Sequence, residues 1–501
     1  MIRSLAVFLL AVCGFIQASA LSPKYEMRGA WIATVYGIDW PSERGVSAAV
    51  ARRQKSELSV LIDRLHRAGF NAVFFQVRPM ADALYRSSLE PWSYHLTGSR
   101  GSAAVYDPLE FCVAECHSRG MECHAWVNPL RVGPKAPATA FDRANRHLWM
   151  SNTVGSASMT IFNPAIPQAR RHIVDVCLEI ARNYDIDGII FDDYFYNPEF
   201  IPEDDRAADW QHYQERSQQS LEPADWRRAN INALIREVGQ ALRDVKNGTV
   251  RFGVSPQGIA GGNGAHADAS VPSPSDFGVV TADSQFDKIY SDPVRWLRDG
   301  LVDYISPQIY WPTTNPSHPY GALAQWWSTV ASMFSRQCFP SITLNNSSAD
   351  EQLAQLEINR NNQAENACGT IFYSASHIVG PRSGDLQNIL RDSIFSLPAL
   401  VPSISRQHPE NRLTLTNLSL SDAGLLSWDR LPSARYIVYA IPSDIDPLDA
   451  LSPQGGISQQ YILGVTYVNN FQIPAEHRDK KIAVAPYDRY GVEWEAQFLT
   501  N

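Results

Sequence analysis

Cysteine, basic charge and long apolar runs are all scarce in this sequence. Seven of its 501 residues are cysteine, and they form no CxxC pair and no spacing with histidine that is typical of a metal site. The formal net charge is -9, and no run of Lys and Arg marks a nucleic-acid or membrane surface. Beyond the N-terminus, no segment is long and apolar enough to span a bilayer. We therefore expect no metal, no cofactor and no nucleic-acid partner, and the sequence leaves the oligomeric state open.

The N-terminus has the features of a secretory signal peptide over residues 1–20. Arg3 supplies a positive start, residues 5–16 form an apolar stretch, and Ala18-Ser19-Ala20 is an A-x-A cleavage site. This pattern predicts a secreted or periplasmic protein. Cys13 would attach the chain to a membrane if it were a lipoprotein cysteine. Val12 precedes it where a small residue is preferred, so an ordinary signal-peptide residue is favoured.

Six cysteines remain after the signal peptide. Cys112 and Cys116 lie four residues apart on a predicted helix, which is a poor geometry for a disulfide. Cys338 and Cys368 begin two predicted strands and can pair if those strands are neighbours. Buried free thiols are expected for most of the six.

From residue 27 onward, short apolar strands alternate with amphipathic helical segments. The predicted strands are Arg28–Val35, Asn71–Val77, Glu122–Val127, Gly188–Phe191, Arg251–Ser255, Tyr304–Tyr310, Ser341–Leu344 and Thr370–Ser374. The predicted helices are Arg53–Ala68, Leu109–Arg119, Gln168–Asn183, Trp226–Lys246, Pro293–Asp299, Gly321–Phe334, Ala349–Asn362 and Gly384–Ile394. Eight such units predict an α/β fold of the (β/α)8 TIM-barrel type. A doubly wound open sheet is the alternative, because periodicity alone does not show that a sheet closes.

The lengths of the connections indicate where a site lies. Helix-to-strand connections such as Ala68-Gly69-Phe70 are short, whereas strand-to-helix connections such as 78–106 and 128–167 are long. In a barrel the strand-to-helix loops gather at the C-terminal face, where such enzymes keep their active sites. The asymmetry therefore predicts a cleft at that end.

The predicted secondary structure changes after Pro398, from alternating strands and helices to strands alone. We divide the chain into a signal peptide (1–20), a barrel (21–398), a linker (399–408) and a small all-β sandwich (409–501). "LLSWDRLPSARYIVYAI" and "IAVAPYDRYGVEWEA" resemble fibronectin type III domains, with Trp428 as core tryptophan and Tyr439 as its packing neighbour. Since domains usually have their own cores, a chain that ends at residue 400 is expected to fold and to remain active on short soluble fragments.

Two adjacent carboxylates follow an apolar strand in "DIDGIIFDDYFYNPEF". Repulsion and desolvation both act against this arrangement unless something is bound or catalysed there. Alternation puts Ile190, Asp192 and Tyr194 on one face of the strand, and Asp193 on the other. Asp193 turns inward only if the ladder has already ended, so the favoured expectation is that Asp192 alone faces the cleft. A proton donor would then come from a loop, with Glu199 and Glu90 as candidates.

Other strand ends also supply polar and aromatic side chains. "DYISPQIYW" supplies Gln308, Tyr310 and Trp311, and such aromatic faces stack on sugar rings. The remaining strand ends supply Gln76, Arg78, Asp82, Trp126, Asn128, Arg131, Ser255 and Gln257. Arg78 can pair with a substrate anion or hold Asp192 ionised, and an ordinary structural ion pair fits it equally well. Acid–base groups among aromatics and amides, in a secreted barrel, indicate glycosidic bond cleavage.

Six motifs in order, "MRGAWIATVYGIDWPS", "FNAVFFQVRPMADALY", "MECHAWVNPLRV", "YDIDGIIFDDYFYNP", "RFGVSPQGI" and "VDYISPQIYW", resemble glycosyl-hydrolase-like family 10. The resemblance covers residues 27–395. It implies a bacterial secreted or envelope-associated barrel that acts on peptidoglycan glycan strands. It further implies Asp192 in the catalytic role, with Asp193 and Tyr310 beside it. It also implies that Arg78, Asp82, Asn128 and Gln308 line the cleft, and the strand-end positions add Trp126, Tyr194, Gln257 and Trp311.

Two departures from known patterns and two other functions are also relevant. The family tends to have an aromatic and a basic group after "SP", where this chain has Gln257-Gly258-Ile259-Ala260-Gly261. The chain is also similar to family-18 chitinases at Asp187, Gly188 and Asp192, but Ile190 and Tyr194 replace their carboxylates. A non-catalytic carbohydrate-binding barrel and a hydrolase of dietary or host polysaccharide are the alternative functions.

Overall fold

The structure is a computed structural model of the 501-residue chain. It describes residues 23–133, 139–154, 157–196, 202, 204–216, 221–261, 270–280, 285–345, 347–362, 369–380, 383–404, 412–432 and 434–499. The predicted signal peptide, Cys13, Glu199 and Cys368 lie outside these ranges.

The strands and helices follow one another in an α/β pattern up to residue 392, and strands alone follow. The strands are β1 (Met27–Ile32), β2 (Ala72–Arg78), β3 (Glu122–Val127), β4 (Arg131–Gly133), β5 (Trp149–Val154), β6 (Ala157–Phe162), β7 (Gly188–Phe191), β8 (Arg251–Val254), β9 (Tyr304–Ile305), β10 (Gln337–Cys338), β11 (Ser341–Thr343), β12 (Gly369–Tyr373), β13 (Ser419–Leu420), β14 (Leu425–Ser427), β15 (Ala434–Ile441), β16 (Ile462–Thr466), β17 (Asn470–Gln472), β18 (Lys481–Asp488) and β19 (Gln497–Phe498). The α-helices are α1 (Ala48–Arg67), α2 (Tyr94–Thr97), α3 (Pro108–His117), α4 (Ala140–Asn145), α5 (Pro167–Asn183), α6 (Trp210–Arg216), α7 (Pro223–Arg243), α8 (Gln285–Lys288), α9 (Pro293–Arg298), α10 (Tyr320–Met333), α11 (Ala349–Asn362), α12 (Ala375–Val379) and α13 (Leu386–Asp392).

A nine-stranded parallel sheet forms the centre of the molecule. Its strand order is β10-β9-β8-β7-β3-β2-β1-β12-β11. The two end strands, β10 and β11, are consecutive in the chain and are separated only by Phe339 and Pro340. Gln308, just beyond β9, also forms bridges to Gln257 and to Ser341 of β11. The sheet therefore curls round on itself, which favours the barrel prediction over the open doubly wound sheet.

The eight predicted strands all occur, and each begins within one residue of its predicted start. The predicted strand 304–310 is much shorter than expected and ends at Ile305. Pro307 has no N–H group to donate to the neighbouring strand, so the ladder is interrupted there and resumes only at Gln308. The hairpin β5–β6, with β4 beside it, lies in the long connection after β3 and was not predicted.

Alternation along the strands separates an inner from an outer layer of the core. Trp31, Phe74 and Ile190 belong to a buried cluster inside the curled sheet. The intervening residues, such as Phe75 and Phe191, belong to the cluster that packs against the surrounding helices. The Tyr304 ring fills the space next to Gly253 inside the sheet. A side chain at position 253 would clash with it, because a Cβ there would lie 2.3 Å from the ring. None of the described helices has the length and apolar character needed to cross a membrane.

The C-terminal region forms two small antiparallel sheets, as the all-β prediction requires. Their orders are β13-β14-β17 and β16-β15-β18-β19. Trp428 is buried, but its ring packs 4.9 Å from Tyr436 and not against Tyr439, which corrects the predicted pair. Tyr436 and Tyr439 point to opposite faces of β15, because an odd spacing along a strand reverses the side chain. Membership of the fibronectin type III class stays a prediction.

The described part of the predicted linker is buried, not free. Leu400 belongs to a cluster of the C-terminal sheets, whereas Val401 joins the cluster inside the curled sheet. Ile404 is also buried. The described residues 400–404 of the predicted linker are therefore packed in place, because neighbouring apolar side chains enter two different cores.

A buried network of charges joins the C-terminal region to the base of the curled sheet. Arg435 of β15 donates to Glu122 of β3 at 2.6 Å, and both side chains are 2% exposed. Arg251 of β8 lies 3.5 Å from the same carboxylate. Tyr467 and Arg489 hold Asp187 in the same way, at 3.1 and 3.2 Å. The two parts of the chain are thus connected through buried ion pairs and hydrogen bonds that cross between them.

Candidate active site

A cleft of about 260 Å³ opens beyond the carboxyl ends of the central strands. Six of the predicted site residues line it: Trp126, Asp192, Asp193, Tyr194, Gln308 and Tyr310. Gln76, Arg131 and Ser255, which stand at the same strand ends, line it as well. Strand ends therefore identified the position of the cleft and much of its wall, as the geometry of parallel sheets requires.

Both members of the acidic pair face this cleft. The strand β7 ends at Phe191, so strict alternation no longer governs the residues that follow. The expectation that Asp192 alone faces inward is therefore wrong. Asp192 is almost fully buried, whereas Asp193 is partly exposed.

Asp192 lies at the bottom of the cleft and is held by two donors. The Trp126 indole N–H donates to its Oδ2 at 2.9 Å, and the backbone N–H of Tyr194 donates to its Oδ1 at 3.4 Å. Burial raises the pKa of the Asp192 carboxyl to about 7, with a further rise from the charge of Asp193 and an opposing effect of Arg131. Asp192 therefore retains its proton over part of the population near neutral pH.

Asp193 is fixed from the other side by amide groups. Gln308 Nε2 donates to its Oδ1 at 3.1 Å, and the same nitrogen donates to the backbone oxygen of Ser255 at 3.0 Å. Burial also raises the pKa of Asp193, against hydrogen bonds from Gln308 and Gln257 that stabilise its charged form. The charge of Asp193 in turn contributes to the raised pKa of Asp192.

Arg131 is the cation nearest to the pair among the described cleft residues. Its guanidinium lies 3.5 Å from the centre of the Tyr194 ring, and its charge opposes the rise in the pKa of Asp192. Asn128 supports it, because Asn128 Oδ1 accepts from the Arg131 backbone N–H at 3.1 Å. Asn128 is itself fully buried and does not line the cleft, so it acts by positioning the turn that carries Arg131.

Arg78 does not line the cleft, contrary to the prediction. A register shift between Gln76 and Arg78 interrupts the alternation of β2, so Gln76 lines the cleft and Arg78 does not. Arg78 is fully buried and donates to Glu90 at 2.5 and 2.7 Å. A buried guanidinium needs such a partner, and the structural ion pair is the interpretation that holds.

Glu90 is consequently not a free proton donor at the cleft. Burial raises the pKa of its carboxyl, but the nearby Arg78 and His172 outweigh burial and lower it to about 2. Asp82 is also buried away from the cleft, 3.4 Å from Arg100, and burial raises its pKa to about 6. Glu199, the other predicted loop donor, lies outside the described residues.

Two further predicted residues lie at the edge of the site. Gln257 is exposed and reaches the cleft through a hydrogen bond to Asp193 and a backbone bridge to Gln308. Trp311 is half-buried, with its ring 5.0 Å from His318, and packs against the outer core. Its position two residues beyond the last sheet contact, at Ile309, takes it out of the cleft wall.

Tyr310 does line the cleft and is kept in its neutral form. Burial raises its pKa well above the ordinary value, and its hydroxyl lies 3.4 Å from Ser341 Oγ. The ring stacks on Tyr373 with centroids 6.0 Å apart. It can therefore donate a hydrogen bond to a ligand oxygen but cannot act as an anion near neutral pH.

The sequence interpretation missed one wall of the cleft. Its members are Trp31, Val35, Tyr36, Ile38 and Tyr373. Most of them follow β1 in "MRGAWIATVYGIDWPS", which is the end of a predicted strand like the others. The rule applied elsewhere could have found them, but their apolar character marked them as core.

An acid pair with one proton available, set among aromatic rings at the carboxyl ends of parallel strands, is the kind of site that glycosidases use. The sequence profile of the family described as Glycosyl hydrolase-like 10 matches residues 26–342, and the chain belongs to that family.

Curated relatives and solved structures are similar to this chain. Glycosyl hydrolase YngK of Bacillus subtilis (strain 168) is 34% identical over 403 residues, which are 77% of this chain and 75% of the relative. Glycosyl hydrolase DigH of Escherichia coli (strain K12) is 36% identical over 330 residues, 62% and 72% of the two chains. The PgaB (BpsB) glycoside hydrolase domain of Bordetella bronchiseptica aligns with 75% of this chain and 100% of its own, at 13% identity and a TM-score of 0.46.

Proposed function

We propose that this protein hydrolyses glycosidic bonds in an amino-sugar polysaccharide outside the cytoplasm, with peptidoglycan glycan strands as its substrate. We take the curled sheet as a (β/α)8 barrel with its site at the usual face. The observation that carries the proposal is the buried Asp192 beside Asp193, at the bottom of an open cleft with aromatic walls. The family supports glycosidase chemistry, and the motifs that resemble its peptidoglycan-active members support the choice of substrate.

Asp192 is the proposed general acid. Its protonated carboxyl gives a proton to the glycosidic oxygen as the bond from that oxygen to the anomeric carbon breaks. Asp193, held by Gln308, places negative charge beside the positive charge that develops on the sugar. Water then adds to the anomeric carbon. One of the two water protons stays on the new hydroxyl, and the other reprotonates Asp192. Tyr310 donates a hydrogen bond to a sugar oxygen, and the tryptophan and tyrosine rings pack on sugar faces.

Digestion of purified peptidoglycan tests the proposal. Whole sacculi and glycan strands freed of their stem peptides are incubated with the protein, and the products are analysed by mass spectrometry. New reducing ends and muramic-acid-containing fragments are expected from at least one of the two substrates, and none from an Asp192→Asn control. Strand binding without cleavage would instead show a carbohydrate-binding barrel. Cleavage of other polysaccharides alone would show a different substrate.

Asp193→Asn is expected to shift the pH–rate profile as well as lower the rate. Asp192 acts in its protonated form, so the rate falls as pH rises through the pKa of about 7. Removal of the neighbouring negative charge lowers that pKa, and the fall should then begin at a lower pH. The measurement is kcat/KM against pH, with the exposed Asp204→Asn as control. An unshifted profile would show that the two carboxyls do not interact.

Tyr36→Ala is expected to raise KM for long glycan strands by about tenfold with little change in kcat, since a lost sugar–aromatic contact costs about 1 to 1.5 kcal/mol. Tyr36 lines the cleft with its side chain 62% exposed, and its backbone is held at a φ of 56°, which is unusual for a bulky residue. Tyr36→Phe should behave as the native protein. Tyr94, equally aromatic and 45% exposed outside the cleft, gives the control Tyr94→Ala. Equal effects of the two alanine changes would remove Tyr36 from the site.

A further inference from the structure

Three cysteine side chains converge at one point between α3 and β3. The Sγ atoms of Cys112, Cys116 and Cys123 all lie within 4.8 Å of one another, and those of Cys112 and Cys123 are 3.8 Å apart. All three residues are 0% exposed. They lie on the outer side of the curled sheet, away from the cleft, in the layer packed against the helices.

The local structure explains why the three sulfur atoms meet. Cys112 and Cys116 are four residues apart on α3, so they share one face of that helix. Cys123 is the second residue of β3, and its neighbours Glu122 and His124 point to the inside of the sheet. Alternation therefore directs Cys123 outward, against the helix. The short turn at 118–121 brings the helix back onto its own strand.

The spacing matches a metal ion better than a disulfide. A disulfide joins two sulfur atoms at about 2.05 Å, and the described cysteines are all free thiols. A metal–sulfur bond of about 2.3 Å places the sulfur atoms about 3.8 Å apart in a tetrahedral shell and about 4.0 Å apart in a trigonal one. One pair of sulfur atoms is already 3.8 Å apart and no pair is more than 4.8 Å apart, so only a small contraction is needed to reach that geometry.

Charged groups of both signs surround the cluster. Asp187 adds a carboxylate next to the cluster, since its Oδ2 accepts from the Cys123 backbone N–H at 2.8 Å. Arg119 and His117 are the cationic and titratable groups that face the cluster from the end of α3.

We propose that Cys112, Cys116 and Cys123 bind one thiophilic d10 metal ion, and that Cu+ is preferred to Zn2+. Soft sulfur donors select these two ions among the biological metals. Structural Zn2+ sites take four ligands, whereas the described surroundings bring three metal-ligating groups together. Cu+ accepts three sulfur donors. Each thiol that binds as a thiolate releases its proton to solvent, so binding weakens at low pH.

The site would fasten α3 to β3 next to the junction with the C-terminal region. Asp187, whose backbone and side-chain contacts reach both Cys123 and Tyr467, connects the two. The proposed metal is structural, and it is independent of the proposed glycosidase activity. Failure of either proposal leaves the other intact.

Metal retention by the full-length chain tests the proposal. The reduced protein is incubated under argon with a Cu+ acetonitrile complex or with Zn2+, passed through gel filtration, and assayed for metal per chain. One equivalent of Cu+ should be retained, with a raised Tm and an X-ray absorption spectrum of a copper ion bound by sulfur at about 2.3 Å. Cys116→Ala should lose the metal, whereas Cys177→Ala, which removes an isolated buried thiol, should keep it.

Three results would overturn the assignment. The first is a native protein that retains no copper, and the second is equal retention by Cys116→Ala and Cys177→Ala. The third is Zn2+ held in preference to Cu+. If Cys116→Ala does not fold, Cys123→Ser replaces it, because serine keeps the volume of the thiol but is a hard donor that Cu+ binds poorly.

Discussion

Asp192→Asn is expected to lower the rate of glycan cleavage by about a hundredfold or more, because it removes a catalytic proton donor. The amide keeps the shape of the carboxyl and can still meet the Trp126 indole at the bottom of the cleft. Cleavage is measured by product mass and by new reducing ends on the strands that the native protein digests. A folded Asp192→Asn protein with normal activity would exclude Asp192 as the acid.

The pH dependence of the Tm provides a folding control for the same substitution. The folded-state pKa of Asp192, about 7, is raised above the ordinary value of 3.8, so the charged form is disfavoured in the folded protein. This cost is absent below the ordinary value, grows as pH rises, and is complete above pH 7. Asparagine avoids it. Asp192→Asn should therefore have a higher Tm than the native protein at about pH 8, and the difference should shrink toward about pH 4.

Arg435→Met is expected to destabilise the whole molecule by about 3 kcal/mol, because it leaves Glu122 buried with fewer partners. Burial raises the pKa of Glu122, but Arg251 and Arg435 outweigh burial and lower it to about 2, so the carboxylate is charged at neutral pH. The value lies at the low end for a broken buried pair, since Arg251 stays within 3.5 Å. Urea unfolding at pH 7, followed by tryptophan fluorescence, measures the change.

An exposed ion pair of the same type supplies the control. Arg412 pairs with Glu495 at the surface, with 64% and 72% of the two side chains exposed, and Arg412→Met should change the unfolding midpoint little. The interface also bears on the prediction that a chain ending at residue 400 folds by itself, which stays a prediction. That shortened chain loses Arg435, Tyr467 and Arg489 together, so its unfolding midpoint is expected to fall. Cooperative unfolding of that shortened chain at the native midpoint would contradict the role assigned to the interface.

Hydrophobic periodicity was sufficient for the order of the central elements. The eight strands begin within one residue of their predicted starts, since each needs a short apolar run buried on both faces. The hairpin β5–β6 escaped prediction because it lies in a long connection and shows no comparable run. The early end of β9 at Ile305 could have been predicted from Pro307 in "DYISPQIYW", because proline has no N–H group to donate to the neighbouring strand.

For the site, position at a strand end was the informative feature. Asp192, Trp126, Gln308 and Tyr310 were found in this way, because the carboxyl ends of parallel strands meet at one face. Arg78 also stands at a strand end, but it does not line the cleft. A one-residue register shift directs its side chain into the neighbouring loops instead. Such a shift depends on contacts with the neighbouring strand, and no local sequence pattern predicts it.

The sequence by itself determined the class of this protein: an α/β chain with its acidic pair at the end of a buried strand, followed by an all-β region. The local sequence determines these features, because the burial of a strand and the formation of a turn each depend on a few neighbouring residues. Only the tertiary structure decided that both aspartates face one cleft, that Arg131 and not Arg78 is their nearby cation, and that three thiols meet beside β3. It also decided that Arg435 neutralises Glu122 across more than three hundred residues of chain. Each of these depends on distances between elements far apart in sequence, and Coulomb and coordination energies change steeply over a few ångströms.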